Sequence, residues 1–489
     1  MHLGIDLGTS GVKAVVIDDA GVVVAQAAAP LEVSRPHALW SEQDPPDWWA
    51  ACGAAIGALR AQVRLDAVRG IGLSGQMHGA VLLDRAGRVL RPAILWNDGR
   101  SAGECAALDP LARRIAGNIA MPGFTAPKLL WVRRHEPEVF AATERVLLPK
   151  DWLRLRMTGE ALSDMSDASG TLWLDVGARR WSGALLDATG LSERQMPGLV
   201  EGTAPAGRLV PAVAEAWGLP PGCLVAGGGG DNAAGAIGIG CVAPGQGFVS
   251  LGTSGVVFVT DAAFAPAPDH GVHAFCHCLP DTWHRMAVIL SAAGCLTWLA
   301  RLTGAADEAV LLAEATGADL RADRLPVFLP YLSGERTPHI DANAAGVFFG
   351  LTAGTGRAEL TRAVLEGVAF ALADGLAALE EGGTGRGALS VIGGGARSRL
   401  WGEILAAALG RPLVWHAGAE IGPALGAARL ARLAAGDGGI VEVCTIPPVA
   451  RTQEPDAGLA AALAPRLAQY RRLYPVLKDE FTRRAGGAE

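Results

Sequence analysis

Asp6-Leu7-Gly8-Thr9-Ser10-Gly11-Val12 decides the fold, because six of these seven residues recur as Leu251-Gly252-Thr253-Ser254-Gly255-Val256. The residue in front differs: Asp6 in the first copy, Ser250 in the second. Each copy lies between short β-rich runs, 2–6 and 13–17 around the first, 248–250 and 257–260 around the second. A Gly-Thr-Ser-Gly link between two strands is a hairpin whose glycines permit the tight turn. Its amides and hydroxyls are left to converge on an oxyanion. One such hairpin is ordinary turn chemistry. Two in matching contexts signal a duplicated architecture, one that grips a polyphosphate from both sides. Asp6 alone breaks the symmetry, as expected where one side also manages a metal ion or an attacking group.

At 489 residues and 50% hydrophobic content the chain supports two or three domains with substantial cores. A net charge of −7 provides no broad basic surface, so nucleic acid is not an expected partner. The start, Met1-His2-Leu3-Gly4-Ile5-Asp6, has neither a basic leader nor a long apolar run. No apolar stretch long enough to cross a bilayer is free of charge or helix breakers. With eight scattered cysteines, the expectation is a cytoplasmic protein with free thiols and no membrane partner. His273, Cys276, His277 and Cys278, near His270 and His284, invite a zinc site. The spacing Cys276-x-Cys278 lacks the two-residue gap of zinc knuckles, and no second cysteine pair completes a set. A strand feeding a packed core accounts for them better.

Along the first half, strands are expected at 22–28, 67–73 and 80–84, the last returning after Ser74-Gly75-Gln76-Met77-His78-Gly79. A helix is expected from Asp47, entered through Pro45-Pro46, with Trp48, Trp49, Cys52, Ile56 and Leu59 on its apolar face. Ala243-Pro244-Gly245 is the expected join, dividing 1–243 from 244–489. In the second half the clearest helix is 359–381, ended by Gly382-Gly383. A strand over 388–392 then runs into Gly393-Gly394-Gly395-Ala396-Arg397-Ser398 and a helix. Only the residues after Arg484 read as disordered.

There is no Gly-x4-Gly-Lys-Ser/Thr, so this is not a P-loop protein, and no dinucleotide fingerprint closes a starting strand. What remains for a nucleotide is the pair of hairpins and the triple glycine, whose bare backbone lets a flat ring lie against it. The second acidic candidate is Asp231, in Gly227-Gly228-Gly229-Gly230-Asp231-Asn232-Ala233-Ala234-Gly235. As a helix N-cap its job would be structural. Four glycines clearing the approach point instead to a general base reached by a substrate hydroxyl. In Gly75-Gln76-Met77-His78-Gly79, a histidine able to donate and accept suits a small polyhydroxylated ligand.

Together Asp6 to Gly11, Gly75-Gln76-Met77-His78-Gly79, Trp96-Asn97-Asp98-Gly99-Arg100 and Gly230-Asp231-Asn232 resemble the xylulokinases of the FGGY carbohydrate kinase family. Met121-Pro122-Gly123-Phe124-Thr125-Ala126-Pro127-Lys128-Leu129-Leu130-Trp131 and the 346–370 segment resemble that family's signatures. The likeness covers nearly the whole chain in order and is least distinctive after Ala450. It implies an α/β fold of two actin-like (ribonuclease H-like) ATPase domains, mixed sheets flanked by helices, with the active site in the cleft between. The 1–243 half would carry the sugar site and first phosphate hairpin, and the 244–489 half the second hairpin and the nucleotide.

The activity implied is ATP-dependent phosphorylation of D-xylulose at O5, with ATP and Mg²⁺ as cofactors. By the same resemblance Asp231 is the base. Asp6 acts near Mg²⁺ and the phosphates, through water. Met77, His78 and Asn232 join Asp231 in contacting the sugar. Thr9, Ser10, Thr253, Ser254, Gly394, Gly395 and Ala396 hold the nucleotide phosphates and ring, and a homodimer is expected. Competing readings are a kinase for ribulose, glycerol or gluconate, a chaperone or filament protein on the same scaffold, and a sugar sensor. No peptide-binding β domain follows the nucleotide motifs, and the retained Asp6 and Asp231 argue against a sensor.

Overall fold

A computed structural model describes residues 1–317, 325–381, 387–418 and 422–486. Two mixed sheets dominate it. The first is built from β1 (His2–Leu7), β2 (Gly11–Ile17), β3 (Val23–Pro30), β4 (Gly70–Gly75), β5 (Pro205–Arg208) and β6 (Leu224–Ala226), in the order β5-β6-β4-β1-β2-β3. A two-residue strand, β7 (Gly229–Gly230), also pairs with β4. The second is built from β8 (Gly247–Leu251), β9 (Gly255–Asp261), β10 (His273–Cys276), β11 (Trp283–Ile289), β12 (Leu389–Ile392), β13 (Leu413–His416) and β14 (Val449–Gln453). Its order is β10-β11-β9-β8-β12-β13-β14.

Set side by side, the sheets share a six-strand plan, to which the first adds β7 and the second β10. In each, a hairpin (β1-β2, β8-β9) is extended by an antiparallel strand on one side. On the other side follow two parallel strands and then an antiparallel one. The duplication announced by the repeated hexapeptide is therefore a duplication of the sheet. It defines the two-domain, actin-like ATPase architecture.

Several limits move. The strand expected at 67–73 is displaced to Gly70–Gly75, and that at 22–28 to Val23–Pro30. The 80–84 run does not return to the sheet: its strand, Val81–Leu83, pairs with Arg145–Leu147. His78, at φ 69°, turns the chain away first. The helix expected from Asp47 starts at Pro45, and as α1 (Pro45–Arg60) buries Trp48, Cys52, Ile56 and Leu59. Trp49 lies to one side against Trp217. The 359–381 helix spans Arg357–Glu380, opened by a Glu359 carboxylate that accepts from the Gly356 amide at 3.0 Å. Gly382-Gly383, expected to end it, lie outside the described residues, as do residues 487–489 of the expected disordered tail.

One helix crosses between the halves. Gly422–Ala434, late in the chain, lies on the first sheet over β1, β4 and β6, and against Asp231–Ile239. Its contact face is glycine and alanine because backbone meets backbone there. A Cβ on Gly72 of β4 would fall 1.8 Å from the Ala427 carbonyl oxygen. The apolar core matches this plan, with one cluster per sheet and a third that joins Met77, Phe124 and Trp173 to Phe248, Phe258 and Phe275. The His/Cys cluster belongs to that junction. Cys276 and Cys278 are fully buried, and His284 stacks on Phe258 with ring centroids 4.5 Å apart. Burial lowers the His277 pKa to about 3, so its ring is a neutral core group.

Candidate active site

Strand register brings the two acidic candidates to one place. Asp6 on β1 lies beside Ser74 on β4, and Ser74 in turn lies beside Gly229 on β7. Asp6 and Gly229 are thus two strand spacings apart, roughly 10 Å. Asp231 follows two residues on, at the same carboxyl-terminal sheet edge. Ser74 Oγ donates to Asp6 Oδ1 at 3.0 Å. Burial raises the Asp6 pKa, against the lowering effects of that bond and of Lys13. Asp231 is pushed up to about 7, first by burial and then by the Asp6 carboxylate, while Asn232 pulls it back. Asp231 is not the helix cap; Gly230 stands there and Asp231 is the first helical residue. Asn232 donates to Asp231 Oδ1 from its amide at 2.7 Å and its side chain at 2.9 Å.

Beyond the same strand end, Met77 and His78 form a wall. His78 Nδ1 lies 2.6 Å from the Gly170 carbonyl oxygen. A carbonyl only accepts, so Nδ1 carries the proton and Nε2 is an acceptor. The ring stands edge-on to Phe124 at 4.7 Å and near Phe275 at 6.2 Å. Burial lowers the His78 pKa to about 3, so the ring is neutral. Lys128 Nζ and Thr125 Oγ1 both donate to the His78 carbonyl, at 2.8 and 3.1 Å. These residues come from the 121–131 stretch, which the sequence reading noted without assigning a task. Gly170, Phe275 and Arg336, which bonds His273 at 3.1 Å, had no sequence signal.

The hairpins differ in what they offer. Thr9 Oγ1 donates to Gln76 Oε1 at 3.0 Å and accepts from the Trp96 indole at 2.9 Å. Its hydroxyl proton is therefore engaged here, which leaves the hairpin amides and the Ser10 hydroxyl as the other donors of the turn. Ser10 is exposed at the tip. On the second hairpin Thr253 is exposed and Ser254 half-buried. The turn is braced by the Ala292 and Ala293 amides, which donate to the Thr253 and Gly252 carbonyls at 2.8 Å each.

By register Ser250 replaces Asp6 and Ile392 replaces Ser74, so Gly393-Gly394-Gly395 occupies the place of Gly75-Gln76-Met77. One half fills that turn with side chains and the other clears it. The cleared turn borders a cavity of about 440 Å³, lined by Gly252, Thr253, Gly294, Gly394, Gly395 and Trp401 among others. Ala396 follows on the single turn Gly394–Arg397. Arg397 and Ser398 also line the cavity, as do Thr297 and Glu308, which the sequence reading missed. The small-residue run Ser291-Ala292-Ala293-Gly294 after β11 was the available signal.

A duplicated ATPase fold, a glycine-walled cavity in the second half and two carboxylates beside the Met77–His78 wall in the first define a phosphotransferase of the actin-like class. Residues 1–238 match the N-terminal domain of the FGGY family of carbohydrate kinases, and residues 247–435 match its C-terminal domain. The chain belongs to the FGGY family of carbohydrate kinases. It is 55% identical over 482 residues to the xylulose kinase of Escherichia coli (strain K12), covering 98% of this chain and 99% of that protein. It is 54% identical to the xylulose kinase of Klebsiella pneumoniae over 483 residues, again 98% and 99% of the two chains. A crystal structure described as a xyloylose kinase from Brucella ovis superposes with a TM-score of 0.94 at 54% identity, covering 98% of this chain and 99% of that one.

Proposed function

We propose that the protein transfers the γ-phosphoryl group of ATP to O5 of D-xylulose, giving D-xylulose 5-phosphate and ADP, with Asp231 as general base. The observation that carries the mechanism is the pair Asp6 and Asp231 at one sheet edge, the second held near neutrality by burial and by the first. A carboxylate with a pKa near the working pH both accepts a hydroxyl proton and releases it again. The substrate assignment follows from the xylulose kinases to which the chain is similar over nearly its whole length.

Asp231 takes the proton as the sugar oxygen bonds to phosphorus and the bond to ADP breaks; Asn232 fixes the angle of its carboxylate. Met77 supplies an apolar wall, and His78 Nε2 accepts a hydrogen bond from a sugar hydroxyl. Thr253, Ser254, Gly394, Gly395 and Ala396 hold the nucleotide, and the hairpin amides of Thr9 and Ser10 face its phosphates. Mg²⁺, when bound, neutralises phosphate charge; Asp6 would hold it through water. Oxygen donors suit that ion, and among the described residues no group of three or more His, Cys, Asp or Glu forms a cage. Such a site fits an ion bound through one or two carboxylates and the substrate's own phosphates. Positioning and electrostatics supply most of the rate.

Sequence order divides the working halves at 1–243 and 244–489, with the 422–434 helix serving the first sheet from the second half. The eight cysteines are unbridged, which suits a reducing cytosol. No helix of the described residues is long and apolar enough to cross a membrane. A homodimer is tested by sedimentation. For the mechanism, Asp231→Ala should nearly abolish turnover while D-xylulose and ATP still bind by calorimetry. Wild-type turnover in that variant would remove Asp231 from the mechanism.

A further inference from the structure

The segment Gly227-Gly228-Gly229-Gly230, which delivers Asp231, has no side chain with which to anchor itself. Its position comes from main-chain bonds alone, beginning with the pairing of β7 to β4, Gly229 beside Ser74 and Gly230 beside Gly75. Two run to nearby carbonyls, Gly227 N to Ala204 and Gly228 N to Gly202, at 2.9 and 3.0 Å. Two more run to side chains at its ends. Arg154 Nη2 donates to the Gly227 carbonyl, and the Gly230 amide donates to Ser166 Oγ at 3.0 Å. Ser166 is the side-chain partner of Gly230, one residue before the catalytic carboxylate.

Both side chains grow from one buried ionic cluster. Arg154 Nη1 donates to Asp151 Oδ1 at 2.8 Å and to the Leu162 carbonyl at 2.7 Å. Ser166 Oγ donates to Asp164 Oδ2 at 2.5 Å, so its hydrogen is spent and its lone pair must face the Gly230 amide. Lys150 Nζ ties the two branches, 2.6 Å from Asp151, 2.7 Å from Asp164 and 3.1 Å from Asp167. Lys150, Asp151, Arg154, Asp164, Ser166 and Asp167 are all 0% exposed. Two cations face three carboxylates. Burial, with Asp151 and Asp164 beside it, raises the Asp167 pKa well above the usual carboxylate range, against the lowering effect of Lys150. A buried cluster of this kind adds less stability than apolar packing of the same volume. Two of its outward contacts go to the two ends of a single glycine segment.

We infer, taking Asp231 as the base, that Ser166 and Arg154 are positioning residues that fix the catalytic carboxylate through the main chain of Gly227–Gly230. They touch no substrate, so their loss lowers turnover and leaves ground-state binding in place. A misplacement near 1 Å costs on the order of 100-fold in rate. Ser166→Ala therefore lowers kcat by about 10- to 100-fold. KM for D-xylulose and for Mg-ATP stays within about twofold. Ser166→Thr keeps the acceptor oxygen and restores most of kcat. Arg154→Lys, which keeps the charge but not the fork, reads the other end of the segment and shows the same split.

The experiment is steady-state kinetics of the full-length wild type, Ser166→Ala, Ser166→Thr, Arg154→Lys and Asp231→Asn, with thermal melting of each. A lowered kcat with unmoved KM values, rescued by threonine, is the expected result. Wild-type kcat in folded Ser166→Ala and Arg154→Lys, or parallel loss of kcat and both substrate affinities without rescue, overturns the inference. If Ser166→Ala does not fold, Ser166→Thr and Arg154→Lys decide it alone. An active Asp231→Asn would instead sink the assignment of the base. An inactive Asp231→Asn beside fully active Ser166→Ala and Arg154→Lys would leave the base in place and discard only the positioning role.

Discussion

Gly170→Ala should damage sugar recognition and leave ATP binding in place. Gly170 sits at φ −75°, ψ 1°, a conformation alanine adopts freely, so the change probes space alone. The added Cβ would fall 2.7 Å from His78 Nδ1, 2.8 Å from its Cε1 and 2.9 Å from the Met77 Cε. Carbon contacts settle at about 3.5–4.0 Å, so imidazole and thioether must both retreat by more than about half an ångström. The 2.6 Å bond from His78 to the Gly170 carbonyl leaves no slack for that movement, and Phe124 stands edge-on at 4.7 Å on the ring. Overpacking of this kind costs about 1–3 kcal/mol. With both wall groups displaced by over half an ångström, kcat/KM for D-xylulose should fall by roughly 10- to 100-fold. Initial rates with varied sugar at saturating Mg-ATP measure it, and a melting curve checks the fold. KM for ATP should hold, because its cavity lies on the other half. A folded Gly170→Ala enzyme with native sugar kinetics would refute the placement of Met77 and His78 in the sugar wall.

Three further outcomes follow from the same geometry. Asp231 works deprotonated and its pKa is raised to about 7, so kcat/KM should fall as pH drops through that region. A rate–pH profile flat down to about pH 5 would contradict this assignment. Gly72→Ala puts a Cβ 1.8 Å from the Ala427 carbonyl, where only backbone can give way. It should destabilise by about 3 kcal/mol or more, read as a lower urea midpoint, and an unchanged midpoint would disprove the tight docking of the crossing helix. Lys150→Met removes the cation shared by three buried carboxylates. It should cost about 3–5 kcal/mol of stability by the same assay, and a neutral result would mean the cluster is open to water.

What the sequence revealed follows from where each residue's information resides. The repeated hairpin was legible because turn chemistry is local: Gly-Thr-Ser-Gly forms the same bend wherever it stands, and two copies impose two sheets. The proposed role of Asp231 rests on its neighbours, since four glycines in a row clear the approach to the carboxylate that follows. The crossing helix was not. Gly422–Ala434 is glycine- and alanine-rich along its contact face, which announces a close neighbour without saying which one. The Lys150 cluster was hidden for the opposite reason. Charged residues spaced along a short helix read as a solvated face, and only the fold shows them at 0% exposure. The partners of the Thr9 hydroxyl, Gln76 and Trp96, were out of view because they lie 67 and 87 residues away.

The central claim is best tested by ADP release with Mg-ATP across D-xylulose, D-ribulose, L-ribulose, glycerol, gluconate and a control without sugar. A clear preference for D-xylulose, with D-xylulose 5-phosphate as the product, is the predicted result. Preference for another acceptor would keep the kinase and overturn the sugar assignment. Folded protein that binds ATP but shows no sugar-dependent turnover would contradict the account as a whole.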